Sequence, residues 1–374
     1  MKVALVYDRL NKWGGAERVL LSLRELFPDA PLYTSVYHAK RASWAKEFVV
    51  KSSFLQRFPY AASSHEPYAI FMPLAFESFS FDRYDLVISV TSESAKGIIT
   101  KPNTIHICYC LTPTRYLWSG YDEYFTSSAV RFLSKPAVSY LRAWDKIAAQ
   151  RPDAYIAISK EVQKRIKKYY ERESTVIYPP VAIDGRRWNR EDSNLKIEDR
   201  VSKGYFLIVS RFVPYKKIDI AIKACSRLKL PLKIVGSGAQ EGYLRSLAGP
   251  TVEFLGNLTD KELLSYYKNS WALLFPGHED FGIVIVEALA SGTPVIAFKN
   301  GGALEIIKEG KTGAFFYPQT VESLESVLQS FSPVDYQADE CRKSVMQFEK
   351  KRFLKEFRQA VEALFLAHKK KKMI

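Results

Sequence analysis

The sequence lacks the marks of several protein classes. No apolar run reaches the ~18 residues that a membrane-spanning helix needs. The opening "MKVALVYDRL" meets charge at Asp8, too soon for the apolar core of a secretory leader, and reads as a first strand. The expected compartment is the cytoplasm. Cysteine is scarce: Cys108, Cys110, Cys225 and Cys341 form no CxxC pair, and no histidine stands at zinc spacing from them. They read as reduced, buried thiols, not as a disulfide frame or a metal knot. There is also no G-x-G-x-x-G after the first strand, only the Gly14-Gly15 of "WGGAER", so a dinucleotide site is not supported.

What is present is enough apolar material for a sizeable core, 47% of residues, in a chain of 374. That length exceeds one usual domain and leads to an expectation of two. The net charge of +15 favours anionic partners: nucleic acid, an anionic membrane face or phosphorylated substrates. Part of it lies in the terminal "HKKKKMI", which reads as a solvated tail.

Short apolar runs alternate with helix-period segments. "KVALVY", "PLYTSVY", "DLVISV", "TIHICYC", "AYIAIS" and "STVIYPP" read as strands, with helices such as "KEVQKRIKKYY" between them. This is the pattern of βαβ units and a parallel sheet. Polar residues 186–204 read as a linker between a domain at 1–185 and one at 205–345. The alternation restarts at "YFLIVS". It includes a helix opened by a Thr259/Glu262 capping box and another taken to span Phe281–Ala290. In residues 346–374 a last helix carries Phe353, Leu354, Phe357, Ala360, Val361, Leu364 and Phe365 on one stripe. It is expected to pack back on the first domain.

Two such domains predict a cleft between them, with ligands held just beyond the strand C-termini. "PGHEDFGIVIVEALASGTPVIAF" follows a strand and carries Glu279 in its loop and Glu287 in an apolar helix. A buried carboxylate needs hydrogen-bond donors. A diol such as ribose would supply two; a backbone turn or a lysine would also satisfy Glu287. In "SRFVPYKK", Arg211 follows a strand, and Lys216 and Lys217 are read as opening the next helix. A guanidinium and an ammonium near a helix start suit a diphosphate, although a solvated basic loop fits equally. "VGSG", with Gly236, is either a ligand-approach turn or an ordinary one. The same choice applies to Gly14 and Gly15, since glycine permits close backbone approach.

The ordered set resembles the retaining glycosyltransferases of family 4, with the GT-B architecture of two facing Rossmann-like α/β domains. The marks are the E-x7-E pair Glu279/Glu287, "SRFVPYKK", "VGSG", "FLGNLTDKELLSYY" and "NGGALEII…EGKTGAFF". "HICYCLTPTRYLW" and "VIYPPV" are similar to the branch that builds bacterial surface polysaccharides, often mannosyltransferases of O-antigen type. The resemblance implies that Arg211 and Lys216 hold the donor diphosphate and that Glu279 sits by the donor sugar. It implies that Glu287 binds the ribose, and that amides around Asp280, Phe281, Gly282 and Ile283 contact sugar and phosphate. Asn257 and Leu258 would lie along the base, and Gly14 and Gly15 would leave room for donor and acceptor. Transfer would proceed with retention, by same-face attack with the departing phosphate as base, without metal or cofactor. GDP-mannose is the favoured donor. A lipid-linked or saccharide acceptor and peripheral association with an anionic inner membrane face are expected.

Two positions depart from the pattern. Leu111 stands where the branch often has a histidine, and His106 cannot replace it. It lies five residues earlier and, at an odd separation, points to the opposite face of the strand. Lys217 stands where glycine is common. Arg115 reads either as a contact to the acceptor phosphate or as a structural salt bridge. Two alternatives accompany the main expectation. One is a UDP-sugar enzyme. The other is a non-enzymatic basic protein that binds membrane or nucleic acid, which leaves Glu279 and Glu287 unexplained. Nucleic acid is not the expected partner.

Overall fold

Strands covered on both faces by helices read as near-continuous apolar runs, and the central strands here are buried along almost their whole length, with Ser89 and His106 as a hydrogen-bonded polar pair among the apolar residues. In the computed structural model, which describes residues 1–125, 127–183 and 204–371, they build two α/β units. One comprises Met1–Pro180 and Lys350–Ile374, the other Val181–Glu349. The expected linker at 186–204 lies outside the described residues except for Gly204.

The first unit runs β1 (Val3–Tyr7), α1 (Gly15–Leu26), β2 (Leu32–Thr34), β3 (Val50–Ser52), α2 (Met72–Glu77), β4 (Leu86–Thr91) and β5 (Ile105–Cys110). It continues with a single turn α3 (Tyr121–Tyr124), α4 (Ser128–Ala148), β6 (Ala154–Ala157), α5 (Lys160–Tyr170) and β7 (Thr175–Val176). All seven strands are parallel, in the order β3-β2-β1-β4-β5-β6-β7. The direction of strand progression reverses between β1 and β4, which is where such sheets open a crevice. Strand β3 and the 21-residue helix α4 were not anticipated from the sequence. The first is only three residues long; the second has a clear helical period, with Arg131, Lys135, Arg142 and Lys146 on one side, that the sequence reading passed over.

The second unit runs β8 (Phe206–Val209), α6 (Ile218–Leu228), β9 (Leu232–Val235), α7 (Glu241–Ser246), β10 (Val252–Gly256), α8 (Asp260–Asn269) and β11 (Ala272–Phe275). Then come α9 (Ile283–Ala290), β12 (Val295–Phe298), α10 (Ala303–Ile306), β13 (Gly313–Phe316), α11 (Val321–Ser330) and α12 (Ala338–Ser344). Its six parallel strands lie in the order β10-β9-β8-β11-β12-β13, so the reversal falls between β8 and β11. Helix α8 has the anticipated capping box: the Thr259 hydroxyl takes the Glu262 amide, and Glu262 takes the Thr259 amide at 2.8 Å. Two helix starts differ from the sequence reading. Helix α9 begins at Ile283, because Gly282 caps it in the left-handed region (φ 102°). Lys216 and Lys217 do not open a helix. Pro214–Lys216 is a 3-10 turn, and Lys217 caps α6 with a left-handed φ of 51°.

The last helix, α13 (Lys350–Lys371), belongs to the first unit. Phe353, Phe357 and Val361 are its buried stripe. Phe353 and Phe357 meet the Tyr109 ring of β5 edge-on at 5.9 and 5.8 Å. All four cysteines are buried free thiols, and burial pushes that of Cys225 up to about 12. Among the described residues no helix is long and apolar enough to cross a membrane.

Candidate functional site

The reversal between β8 and β11 brings together loops distant in sequence. After β8 the chain passes Ser210 and Arg211, and the Phe212 side chain is locked in the core, edge-on to Phe254 at 6.0 Å. That anchor sets the loop against the turn after β9. The Phe212 amide donates to the Ser237 carbonyl at 2.9 Å. Gly236, with φ 131°, makes the approach possible: a Cβ there would lie 1.8 Å from the Ser210 carbonyl oxygen. So "VGSG" is required to seat the β8 loop, beyond merely reversing the chain.

The loop after β11 closes the other side. A Cβ at Gly277 would come within 2.9 Å of the Lys216 Cα, so the two loops pack backbone to backbone. The side chains then meet: the Lys216 ammonium forms an ion pair with the Glu279 carboxylate. Both line a small pocket with Ser210, Ile218, Pro276 and Gly277. The next residues are held from behind, where the Gly302 amide donates to the Glu279 carbonyl at 2.9 Å. Phe281 is buried edge-on to Phe348 at 5.3 Å. Its side chain is therefore structural, which leaves its backbone, beside those of Asp280, Gly282 and Ile283, at the start of α9. The first turn of a helix presents amide donors and a positive dipole end.

Glu287 lies one turn into α9, buried, and accepts a hydrogen bond from the Tyr267 hydroxyl at 3.1 Å. Tyr267 is a partner that the sequence reading did not name. Tyr267 is itself fixed, its carbonyl taking the Thr293 hydroxyl at 2.6 Å and that of Ser270 at 2.8 Å. Arg211 is exposed and donates to the Tyr215 hydroxyl at 2.9 Å. Asn257, after β10, donates to the Ser237 hydroxyl at 3.1 Å, while the Gly256 carbonyl takes the Gly236 amide at 2.7 Å. The ends of β8, β9, β10 and β11 thus present Arg211, Gly236, Asn257, Leu258 and the Lys216–Glu279 pair along one edge of the sheet. Lys217 is exposed at the same loop.

In the first unit the corresponding reversal gathers residues that sequence reading missed. Asp8, directly after β1, accepts from the Thr91 hydroxyl at 2.9 Å and from the amides of Ser92, Glu93 and Ala95 at 2.7, 3.1 and 2.9 Å. This ties the ends of β1 and β4. Beside it Arg9 and Glu93 pair at 2.5 Å. Burial acts to raise the Glu93 carboxyl, but Arg9 and His65 outweigh it and hold the group below its ordinary value. Burial, helped by Arg9, lowers His65 to about 4. Only the segment "SES" after an apolar strand could have signalled this cluster. Gly14 has an extended backbone that any residue could adopt, and it caps α1, which starts at Gly15.

Leu111 follows β5, half-buried, its amide donating to the Thr91 carbonyl at 2.8 Å. His106 is buried within β5 and meets the Ser89 hydroxyl at 2.8 Å; burial and then Arg151 and Arg172 lower it to about 3. Arg115 lies 3.9 Å from the Glu123 carboxylate. The rest of "TPTRYLW" is anchored on Asp145. That buried carboxylate accepts from Thr114 at 3.0 Å, Trp118 at 2.7 Å, Tyr170 at 2.8 Å and Lys96 at 2.5 Å.

Residues 189–344 match the family model described as glycosyl transferases group 1. The chain is 25% identical over 279 residues to an alpha-1,3/1,6-mannosyltransferase of Dictyostelium discoideum, covering 64% of this chain and 65% of that one. It is 27% identical over 186 residues to the O-antigen chain mannosyltransferase C of Escherichia coli, 48% of each. The chain spans about half the length of most curated relatives it matches. The structure of Anabaena HepE in complex with UDP superposes with a TM-score of 0.69 at 19% identity, over 97% of this chain and 100% of that one. The fold is therefore the two-domain α/β architecture GT-B.

Proposed function

We propose that this chain is a retaining, metal-independent glycosyltransferase of family 4. In this reading it moves a hexose, mannose first, from a nucleotide sugar such as GDP-mannose to a lipid-linked or saccharide acceptor. Its place is the biosynthesis of cell-surface polysaccharide at the cytoplasmic face of the membrane. The observation that carries the reading is the Lys216–Glu279 pair at the strand reversal of the second unit. There a cation and a carboxylate stand side by side in one pocket, next to the first turn of α9.

Chemically, the bond from the sugar C1 to the diphosphate oxygen breaks and a bond from C1 to the acceptor oxygen forms. Negative charge grows on the departing phosphate, and the acceptor proton passes to it. Lys216 and Arg211 offset that charge, which is where preorganised cations contribute most. When the diphosphate arrives, Lys216 exchanges its carboxylate partner for phosphate, leaving Glu279 facing the sugar. Glu287, oriented by Tyr267, receives the ribose hydroxyls. Asn257 and Leu258 border the base, and the amides at Asp280–Ile283 meet sugar and phosphate. On the first unit, Gly14, Gly15, Leu111 and Arg115 belong to the acceptor side.

The relatives named as mannosyltransferases support mannose. A UDP-sugar is the second reading, favoured by the UDP held in the HepE structure. Both are tested by thermal shift of the purified protein with GDP, UDP and ADP, followed by transfer assays with the matching sugars. A ligand that binds the folded state must raise its melting temperature. No shift with any of the three would remove the basis of the reading.

A further inference from the structure

Tyr215 touches both of the cations that the transfer reading assigns to the donor diphosphate. Its hydroxyl accepts from the Arg211 guanidinium at 2.9 Å. The Lys216 ammonium lies over its ring, 5.3 Å from the centroid. The backbone that carries this side chain is gripped from two directions. Pro214–Lys216 is a 3-10 turn, closed by the Lys217 amide on the Pro214 carbonyl at 3.2 Å. Across from it, a Cβ at Gly277 would come within 3.0 Å of the Tyr215 carbonyl oxygen, so the loop after β11 presses on this turn. Tyr215 is half-buried there, whereas Arg211 is exposed.

We propose that Tyr215 is a positioning residue for the diphosphate: its hydroxyl orients the Arg211 fork and its ring seats the Lys216 ammonium. An exposed arginine samples many rotamers, and fixing one of them on binding opposes affinity. A hydrogen bond to a hydroxyl carried on a rigid turn narrows that choice before the ligand arrives. Arg211 and Lys216 also carry like charge on one loop and repel each other. The negative face of the ring offsets part of that repulsion for Lys216. The ring matters most once the diphosphate is bound. Lys216 then exchanges Glu279 for phosphate, and the ring stays as a partner that leaves the ammonium donors to the phosphate oxygens. Phenylalanine at this position would keep the ring and lose the hydroxyl; leucine would lose both. The inference rests on the nucleotide-sugar reading for its ligand, and on the two Tyr215 contacts for its geometry.

The test is calorimetric titration of GDP and of UDP into the full chain. The wild type is compared with Tyr215→Phe, Tyr215→Leu, Arg211→Ala, and Arg211→Ala combined with Tyr215→Phe, each with its melting temperature. Tyr215→Phe should weaken binding of the preferred nucleotide about threefold to tenfold, the range for freeing one rotamer-rich side chain, without lowering the melting temperature. Tyr215→Leu should weaken it by about threefold more, through the lost contact between cation and ring. With Arg211 already replaced, Tyr215→Phe should change affinity less than about twofold, because the hydroxyl acts through the guanidinium. A side chain that only packs the loop gives a different pattern, in which phenylalanine restores full affinity. Wild-type affinity in Tyr215→Phe therefore overturns the inference. So does an equal loss from Tyr215→Phe with and without Arg211, which would make the hydroxyl act independently of the guanidinium. Either result, with nucleotide bound by the wild type, rejects the positioning role alone. Absence of binding to the wild type removes the transfer reading and this inference with it.

Discussion

Lys216 and Glu279, 63 positions apart in the chain, form an ion pair across the ends of β8 and β11. Neither is fully exposed, and Gly277 is what lets their loops approach so closely. Replacing either by alanine leaves a cation or carboxylate half-buried with less compensation, a modest structural loss. The functional loss should be larger. Lys216→Ala and Glu279→Ala are each expected to lower sugar transfer by about 10²–10³, with a melting temperature within a few degrees of wild type. Steady-state assays beside thermal denaturation check this. Full activity in both variants would detach the pair from the chemistry.

Lys217 trades stability for charge. Its φ of 51° and ψ of 35° are left-handed, which costs a non-glycine residue ~1–2 kcal/mol. Glycine relieves the strain but adds ~0.5–1 kcal/mol of chain entropy cost. Lys217→Gly is therefore expected to gain up to about 1 kcal/mol while weakening nucleotide binding through the lost cation. Chemical denaturation and calorimetric titration, run together, should move in opposite directions.

Gly236 is the reverse case. A methyl group placed 1.8 Å from the Ser210 carbonyl oxygen, at φ 131°, forces the β8 loop outward. Gly236→Ala should cost at least about 2 kcal/mol and impair nucleotide binding even though the glycine offers no side chain. Equilibrium urea unfolding measures the first effect. A wild-type unfolding midpoint would show that the loop yields freely.

Two histidines give the fold an acid limit. His65 and His106 are lowered to about 4 and about 3, chiefly by burial, from an unfolded value near 6.5. The unfolded chain thus binds more protons below pH ~6.5, so their contribution to stability falls as pH drops through that value toward about 3. His65→Gln should flatten part of this decline. Melting temperatures from pH 8 down to pH 4 test it. Equal slopes in variant and wild type would show that His65 is charged or exposed.

Much of this architecture was legible in the sequence. Strands β8, β11 and β12 announced themselves as unbroken apolar runs, the Thr259/Glu262 box marked α8, and the Phe353–Phe357–Val361 stripe marked α13. Strand β3, at three residues, is too short to carry a period. Helix α4 has a clear helical period but no side-chain N-cap or capping box to mark its start, and Pro136 interrupts it. The site was legible as residue types after strands, but not as contacts. Nothing local links Glu287 to Tyr267 or Asp8 to the loop at Ser92; the folded sheet alone sets those distances. The left-handed Lys217 was visible only as an unusual lysine.

The most direct measurement is calorimetric titration of GDP and of UDP into the wild type and into Arg211→Ala and Lys216→Ala variants. The account requires saturable binding of at least one of them to the wild type. It requires binding at least about tenfold weaker in each variant, in proteins that melt within a few degrees of wild type, as expected for loss of a charge-assisted contact to phosphate. Absence of binding to the wild type, or equal affinity in all three proteins, would contradict it.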